Sequence, residues 1–170
     1  MRYSGLIEND LVNGEGVSVT VFLQGCPHHC DGCHNPETWD FNGGIEINSE
    51  TLINNILTAI SKNGITRNLS ISGGEPLSNQ NVTFVRHLIE MVKDKYPDIK
   101  IYCWTGYSYK ELYMNRPKMV CYEIGRILCD VDVLITGRYI KKYRDVTLKL
   151  RGSSNQQIWR RQDGKLVLDE

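Results

Sequence analysis

Three cysteines placed within eight residues are the groups of this sequence best suited to chemistry. Cys26, Cys30 and Cys33 follow the pattern C-x3-C-x2-C in the segment "CPHHCDGCHNPETW". Three histidines lie in this loop or directly after it: His28, His29 and His34. Thiols and imidazoles at this density are compatible with a disulfide, with a structural zinc site or with an iron–sulfur cluster.

The spacing of the thiols favours an iron–sulfur cluster. Structural zinc sites usually use two pairs of ligands separated by about a dozen residues or more, whereas these cysteines share one tight loop. A [4Fe–4S] cluster held by three cysteines keeps one iron open, and catalysis at a metal needs an open position. We predict that Cys26, Cys30 and Cys33 hold such a cluster; a zinc site completed by one of the histidines is the alternative.

The other cysteines lie in apolar strand or helix patterns, where free cysteine packs as a small hydrophobic residue. We predict that these three are structural and bind nothing: Cys103, Cys121 and Cys129.

The composition is that of a soluble globular protein. The 170 residues are 41% hydrophobic and 24% charged, which fits a single domain spanning residues 1–170. No apolar run reaches the roughly 20 residues that span a bilayer, and no apolar signal core follows the N-terminus. We expect a cytoplasmic protein without a membrane partner, whose reduced thiols argue against a disulfide framework.

The charge is balanced overall but not locally. Basic and acidic side chains number 20 each, so the chain lacks the excess of a nucleic-acid binder and we expect no nucleic-acid partner. Residues 138–151 contain six basic side chains and one acidic side chain, Asp145. This segment is either a solvated face or a docking surface for a partner.

Strand and helix patterns alternate along the chain. Apolar runs predict strands over residues 17–23, 68–72, 99–104 and 131–136, and a short strand at 166–168. Apolar residues at helical spacing predict helices that cover residues 52–60, 80–95 and 117–128, the first of them capped by Ser49. The part after residue 141 is predicted to be mostly polar turns.

This alternation predicts an α/β fold: a single-domain partial (open) β/α barrel with mainly parallel strands. The chain is too short for a closed eightfold barrel, which takes about 250 residues. Ligands of parallel folds bind at the carboxyl ends of the strands. The cysteine loop, "GGEP" (73–76), "TGY" (105–107) and "TGR" (136–138) each lie at such an end, so we expect them to meet at one site.

The cysteine loop together with the sequence "SGGEP" (72–76) resembles the radical S-adenosylmethionine superfamily. Gly74 follows Cys33 by 41 residues, which leaves room for one crossover helix and one strand. In that superfamily the three cysteines hold a [4Fe–4S] cluster, and S-adenosylmethionine chelates its open iron. The residues implied to contact S-adenosylmethionine are Gly32, Cys33, His34, Gly73, Gly74, Glu75 and Thr105.

Longer segments resemble the activating enzymes of glycyl-radical proteins. The segment "CHNPETWD" (33–40) is similar to the sequence that follows the cluster in those enzymes. The segments "DLVNGEGVSVTVFLQGC" (10–26) and "LRGSSNQ" (150–156) are similar to the activating proteins of anaerobic ribonucleoside-triphosphate reductase. Two positions depart from that pattern: Glu15 stands where proline is common, and Thr136 stands where an acid is frequent.

The resemblance implies an oxidoreductase in which an external low-potential electron donor reduces the cluster. S-adenosylmethionine is then cleaved, and the 5′-deoxyadenosyl radical generates a glycyl radical on the glycyl-radical subunit of the reductase. No catalytic side chain beyond the cluster ligands is implied. The alternatives are an activase of another glycyl-radical enzyme such as pyruvate formate-lyase, a carboxy-deazaguanine synthase and a zinc-binding interaction module.

Overall fold

Eight strands form one continuous sheet in the computed structural model, which describes residues 1–169. The strands are β1 (Arg2–Asp10), β2 (Ser18–Leu23), β3 (Ile45–Glu46), β4 (Asn68–Gly73), β5 (Ile101–Thr105), β6 (Val133–Thr136), β7 (Gln157–Gln162) and β8 (Lys165–Leu168). Their order in the sheet is β3-β1-β2-β4-β5-β6-β7-β8. The predicted strand at 166–168 is thus an edge strand.

Only the centre of the sheet is parallel. The strands β2, β4, β5 and β6 pair in parallel, whereas β1 and β3 on one side and β7 and β8 on the other pair antiparallel. The α/β class is confirmed. The prediction of mainly parallel strands is correct for the four central strands and wrong for the flanks. Curvature of the sheet into a partial barrel stays a prediction.

Three helices precede the last three parallel strands, one before each. They are α1 (Ser49–Ile60), α2 (Val82–Lys95) and α3 (Lys118–Asp130), and all three were predicted. The cap of α1 is a correction: Asn48, not Ser49, is the N-cap, because its side-chain oxygen accepts the N–H groups of Glu50 and Thr51 at 2.9 and 3.2 Å. No helix within residues 1–169 is long and apolar enough to cross a bilayer.

The helices cover one face of the sheet and enclose the main core with it. Side chains alternate along a strand, so every second residue of the central strands faces the helices. The buried members of this set are Val19, Val21, Leu23, Leu69, Ile71, Ile101, Cys103 and Leu134. Burial of their apolar surface is the main force that fixes the register of the sheet.

The opposite face of the sheet is covered by two loops instead of helices. Residues 11–17 cross it near β2 and β4, where the Ser70 hydroxyl donates to the carbonyl of Asn13. Gly14 permits this close approach, because it has φ +135° and a Cβ would collide with Ser18. Residues 139–156 cover the other half, where the Trp104 indole N–H donates to the Leu150 carbonyl at 2.7 Å. The two loops leave a groove between them.

Candidate metal centre and cofactor pocket

One pocket gathers the carboxyl ends of the four parallel strands. The loops after β2, β4, β5 and β6 each contribute to its wall, so the four motifs meet at one site as their positions require. We call it the thiol pocket. It encloses about 130 Å³, and its lining includes Cys26, Cys30, Cys33, Gly73, Gly74, Thr105, Gly106 and Gly137.

A larger groove of about 690 Å³ adjoins the thiol pocket. It runs between residues 11–17 and 139–156 on the loop-covered face of the sheet. Five residues line both spaces: His34, Ser72, Trp104, Tyr139 and Gln156. A volume of this size accommodates a nucleoside-sized ligand, so the thiol pocket opens into a space in which a larger molecule can lie beside it.

Backbone contacts fix the loop that carries the cysteines. The Gly25 N–H donates to the Thr38 carbonyl at 2.8 Å, so the start of the loop folds back on the short 3₁₀ turn Pro36–Thr38. Gly25 has φ +93°, and a Cβ there would overlap the ring of Phe41. Only glycine tolerates both the angle and the contact. The direction in which the loop leaves β2 is therefore set by the backbone.

The three thiols have the chemistry of cluster ligands. Cys26 is buried, while Cys30 and Cys33 are half-buried. Burial raises the pKa of Cys26 to about 11, and the charge of Glu75 adds to this effect. Burial also raises the pKa of Cys30, with a further contribution from Cys33. Thiols in such surroundings become thiolates when a metal compensates the charge, and thiolates are the ligands that iron–sulfur clusters take.

The Gly73-Gly74 turn lies directly against the cysteine loop. The N–H groups of Gly74 and Glu75 donate to the carbonyls of Leu23 and Gly25, each at 2.8 Å. A Cβ at Gly74 would overlap the backbone of Gly25, and a Cβ at Gly73, which has φ +104°, would overlap that of Leu23. Backbone atoms, not side chains, therefore face the thiol pocket here.

The carboxylate of Glu75 is fully buried and is not among the groups that line the thiol pocket. Its Oε1 accepts the Leu77 N–H at 2.9 Å and the Thr105 hydroxyl at 2.7 Å. Its Oε2 accepts the Gly106 N–H at 2.7 Å and lies 2.8 Å from His28 Nε2. With two partners on each oxygen, Glu75 fixes the surrounding turns. Direct contact with S-adenosylmethionine stays a prediction.

The remaining predicted contacts surround the same openings. Thr105 lines the thiol pocket, although its hydroxyl is engaged by Glu75. Gly32 lines the groove, and His34 is exposed and lines both spaces. The structure thus brings the predicted set together; which members touch a cofactor stays a prediction.

Sequence reasoning missed three residues of the site. His28 was considered only as a zinc ligand, yet its ring is nearly buried between Glu75 and Arg138. Arg138 belongs to the predicted "TGR" motif as well as to the basic segment, but the sequence does not predict its contact with His28. Tyr139 drew no attention but lines both spaces. The available signal was the position of Arg138 and Tyr139 directly after the fourth parallel strand.

Comparison with known proteins identifies the family. Residues 12–159 match the family model described as a 4Fe-4S single cluster domain. A protein of Haemophilus influenzae is 37% identical over 164 residues, covering 94% of this chain and 98% of its own. A protein of Enterobacteria phage T4 is 36% identical over 165 residues, and the alignment covers 96% of this chain and 97% of that protein. A protein of Escherichia coli K12 is 35% identical over 162 residues, and the alignment covers 93% of this chain and 97% of that protein. Each is named anaerobic ribonucleoside-triphosphate reductase-activating protein. The chain belongs to this family.

Membership of the reductase-activating protein family supports the cluster interpretation of the cysteine loop. The family model is described by its 4Fe-4S cluster and spans most of the chain. Within residues 1–169, no three side chains of His, Cys, Asp or Glu surround a single-ion position.

The two departures from the pattern of reductase-activating proteins have structural explanations. Glu15 accepts a hydrogen bond from Arg160 at 2.8 Å and lies 3.5 Å from Lys100. Its turn is thus tied to β5 and β7 by charge instead of by a proline ring. Thr136 is buried and accepts the indole N–H of Trp159 at 3.1 Å. It is a neutral contact between β6 and β7 and brings no charge to the thiol pocket.

The other cysteines of this family member differ in burial. Cys103 is fully buried in the core, as predicted. Cys121 is half-buried, with its sulfur 3.9 Å from the carbonyl oxygens of Tyr113 and Arg116. Cys129 is exposed, so the expectation of apolar surroundings is wrong at that position; it lies next to the last residue of α3. None of the three lines the thiol pocket.

The basic segment 138–151 is part of the groove wall. Lys141, Arg144 and Arg151 line it together with Asp145. Arg138 forms an ion pair with Glu111 at 3.2 Å. The segment therefore faces the space next to the thiol pocket, and its role as a docking surface for a partner stays a prediction.

Proposed function

We propose that this chain is a radical S-adenosylmethionine oxidoreductase that generates the glycyl radical of anaerobic ribonucleoside-triphosphate reductase. Its [4Fe–4S] cluster is held by Cys26, Cys30 and Cys33. The observation that carries the proposal is that these thiols and the Gly73-Gly74 turn line one pocket, in a chain that belongs to the family of activating proteins for this reductase. The proposed site of action is the cytoplasm, where thiols stay reduced.

When bound, the cluster passes an electron from an external low-potential donor to S-adenosylmethionine. The cleavage of S-adenosylmethionine yields methionine and a 5′-deoxyadenosyl radical. This radical takes a hydrogen atom from a glycine Cα of the reductase. The protein supplies binding, orientation and shielding. Cys26, Cys30 and Cys33 would hold the cluster, and with only three thiolates they would leave room for S-adenosylmethionine to bind it. Gly73 and Gly74 let the backbone approach the methionine end closely.

Aromatic side chains supply the shielding. Trp39 and Trp104 are half-buried and line the thiol pocket. Trp104 is held by its hydrogen bond to Leu150, and Trp39 stacks on His29 with ring centres 4.9 Å apart. Rings fixed in this way exclude water and oxygen from a reactive intermediate.

The groove supplies a route for the target glycine. It is open along its length and shares five lining residues with the thiol pocket. A glycine Cα carries no side chain that would hinder its approach. The proposal therefore requires a segment of the reductase to leave its own fold and lie in the groove, a rearrangement that is common among regulatory complexes.

The decisive experiment is reconstitution with the reductase. The chain is purified without oxygen, loaded with iron and sulfide, and mixed with a strong reductant, S-adenosylmethionine and the glycyl-radical subunit. We expect a glycyl doublet in the electron paramagnetic resonance spectrum and formation of 5′-deoxyadenosine. If the reductase contains glycine deuterated at Cα, deuterium should appear in the 5′-deoxyadenosine.

Two controls give the result its meaning. Pyruvate formate-lyase replaces the reductase in one reaction, and the Cys30→Ala variant replaces the chain in another. A doublet on pyruvate formate-lyase but not on the reductase would identify a different partner. Absence of S-adenosylmethionine cleavage by cluster-loaded wild-type protein would refute the proposed chemistry altogether.

A further inference from the structure

A nearly buried histidine lies between the first two thiols of the cysteine loop. The side chain of His28 is only 4% exposed, and that of Glu75 beside it is completely buried. The ring packs edge-on against Tyr107, with ring centres 4.5 Å apart. Gly106 makes room for it, because a Cβ at that position would overlap the imidazole. A polar ring buried this deeply requires partners for both nitrogens.

Both ring nitrogens have partners, and the partners determine the direction of each hydrogen bond. Nδ1 lies 3.2 Å from Nε of Arg138. A guanidinium group has only donors, so Nδ1 is the acceptor. Nε2 therefore carries the proton and donates to Glu75 Oε2 at 2.8 Å. Neither nitrogen is left to bind a metal.

These contacts belong to one chain of hydrogen bonds that crosses the carboxyl ends of all four parallel strands. Glu111 pairs with Arg138, which follows β6. Arg138 bonds His28 in the loop after β2, and His28 bonds Glu75 in the turn after β4. Glu75 accepts from Thr105 and Gly106 at the end of β5. The members are separated by up to 110 residues in the sequence.

We propose that His28 is a positioning residue that holds the cysteine loop on the Glu75 turn and so fixes where Cys26 and Cys30 lie. Because both cysteines are within two residues of His28, a shift of the ring moves both thiols. Glu75 and Arg138 fix the ring from two different strands, so the loop is ordered against the rest of the pocket before any cluster binds. This inference deepens the proposed function and rests on it only for the identity of the group that the thiols hold.

Two amide variants separate the two hydrogen bonds of His28. The amide nitrogen of His28→Gln reaches the position of Nε2 and can still donate to Glu75. The shorter side chain of His28→Asn reaches the position of Nδ1 and cannot contact Glu75. Both variants are polar and smaller than the ring, so they lose similar packing. His87→Gln on α2 is the matched control, since that histidine is exposed and bonds only the exposed Glu50.

The first measurement is hydrogen–deuterium exchange of the full chain without a cluster, read by mass spectrometry. We expect His28→Asn to accelerate exchange across residues 26–33 and at Gly106 by about tenfold or more, the effect of losing one hydrogen bond to a buried charge. His87→Gln should match the wild type in these segments, and His28→Gln, which keeps the hydrogen bond to Glu75, should exchange more slowly than His28→Asn. Peptides from β2 and β4 should exchange equally in all four proteins.

The second measurement is the release of iron from the reconstituted proteins to a chelator. His28→Asn should release iron about tenfold faster than the wild type, His28→Gln should release it more slowly than His28→Asn, and His87→Gln should match the wild type. Equal behaviour of His28→Asn and His28→Gln in both measurements would overturn the inference, as would acceleration of exchange across the whole sheet in His28→Asn. Neither measurement depends on the reductase, so failure to form a glycyl radical would contradict the proposed function and leave this test intact.

Discussion

Position in the fold, more than burial, divides the six cysteines into groups with different surroundings. Cys103 is enclosed by apolar side chains, and this burial raises its pKa, so it is an inert packing group. Cys26, Cys30 and Cys33 share a pocket that is walled by backbone and rings. Cys121 on α3 contacts only backbone carbonyls. The same residue type is therefore the proposed metal ligand in one place and a packing group in another.

Replacement of one pocket thiol should remove the cluster. Cys30→Ala leaves two ligands on the loop, so we expect iron and sulfide contents near background and loss of the broad visible absorption of the anaerobically reconstituted protein. Cys121→Ala is the matched control: it should retain full iron content and lose about 1 kcal/mol of unfolding free energy through lost packing. Loss of iron from Cys121→Ala would show that the division of the cysteines is wrong.

Glu15 should make stability depend on pH at the acid end. Its hydrogen bond from Arg160 holds the pKa of this carboxyl below 4.5. A carboxyl whose pKa is lower in the folded state stabilises the protein above its unfolded pKa, and the contribution is lost as the pH falls through the folded pKa. Glu15→Gln should therefore cost about 0.5 kcal/mol near neutral pH, a small value because the pair is half-exposed.

Urea unfolding of the wild type and Glu15→Gln at neutral pH and at about pH 3.5 tests this expectation. The difference in unfolding free energy between the two proteins should shrink toward zero in acid. A difference that is equal at both values would mean that the charge of Glu15 does not explain the effect.

At the scale of elements, apolar periodicity located every central strand and every helix. The central strands are buried on both sides and the helices on one, and burial of this kind imposes a pattern on the local sequence. Of the flanking strands only β8 shows an apolar run, and β1, β3 and β7 carry no such pattern. Strand β1 has the sequence "RYSGLIEND". Strand β7 has the sequence "QIWRRQ", and Ile158 is the one buried residue of β7. Their pairing is decided by distant strands, which a local window does not contain.

The contact between α2 and α3 depends on one carboxylate. Glu123 of α3 is 6% exposed and forms an ion pair with Arg86 of α2. Arg86 also pairs with Glu90 within its own helix, and Arg126 lies 3.5 Å from Glu90. Removal of Glu123 leaves part of a guanidinium group enclosed between the helices without its partner, which is costly.

Glu123→Ala should lower the unfolding free energy by about 2 kcal/mol, measured by urea unfolding. Glu90→Ala removes a partner of the same arginine from a more exposed position, and it should cost about 0.5 kcal/mol or less. Equal losses in the two variants would show that the burial of Glu123 contributes nothing to the strength of its ion pair.

At the scale of the whole molecule, topology brought the site together and side-chain contacts refined it. The four motifs could be placed at one edge because parallel strands end on the same side of a sheet. The hydrogen bonds from His28 to Glu75 and from Arg138 to His28 span 47 and 110 residues. Such contacts leave no periodic signal. The sequence therefore predicted which residues surround the thiol pocket. It did not predict that the Glu75 carboxylate forms hydrogen bonds to the turns around the pocket.

The position of the three thiols on one short loop also limits how much the cluster can stabilise the fold. All three ligands lie within eight residues, so an unfolded chain can keep part of its affinity for iron, and binding to the unfolded state reduces the gain. The walls supplied by the ends of β4, β5 and β6 exist only in the folded protein.

Loading with iron and sulfide should therefore raise the midpoint of anaerobic thermal unfolding by about 5–10 °C, not more. Cys30→Ala treated in the same way should show no rise. If the loaded and unloaded wild-type proteins melt at the same temperature, the loop alone accounts for the affinity and the pocket walls add nothing to it.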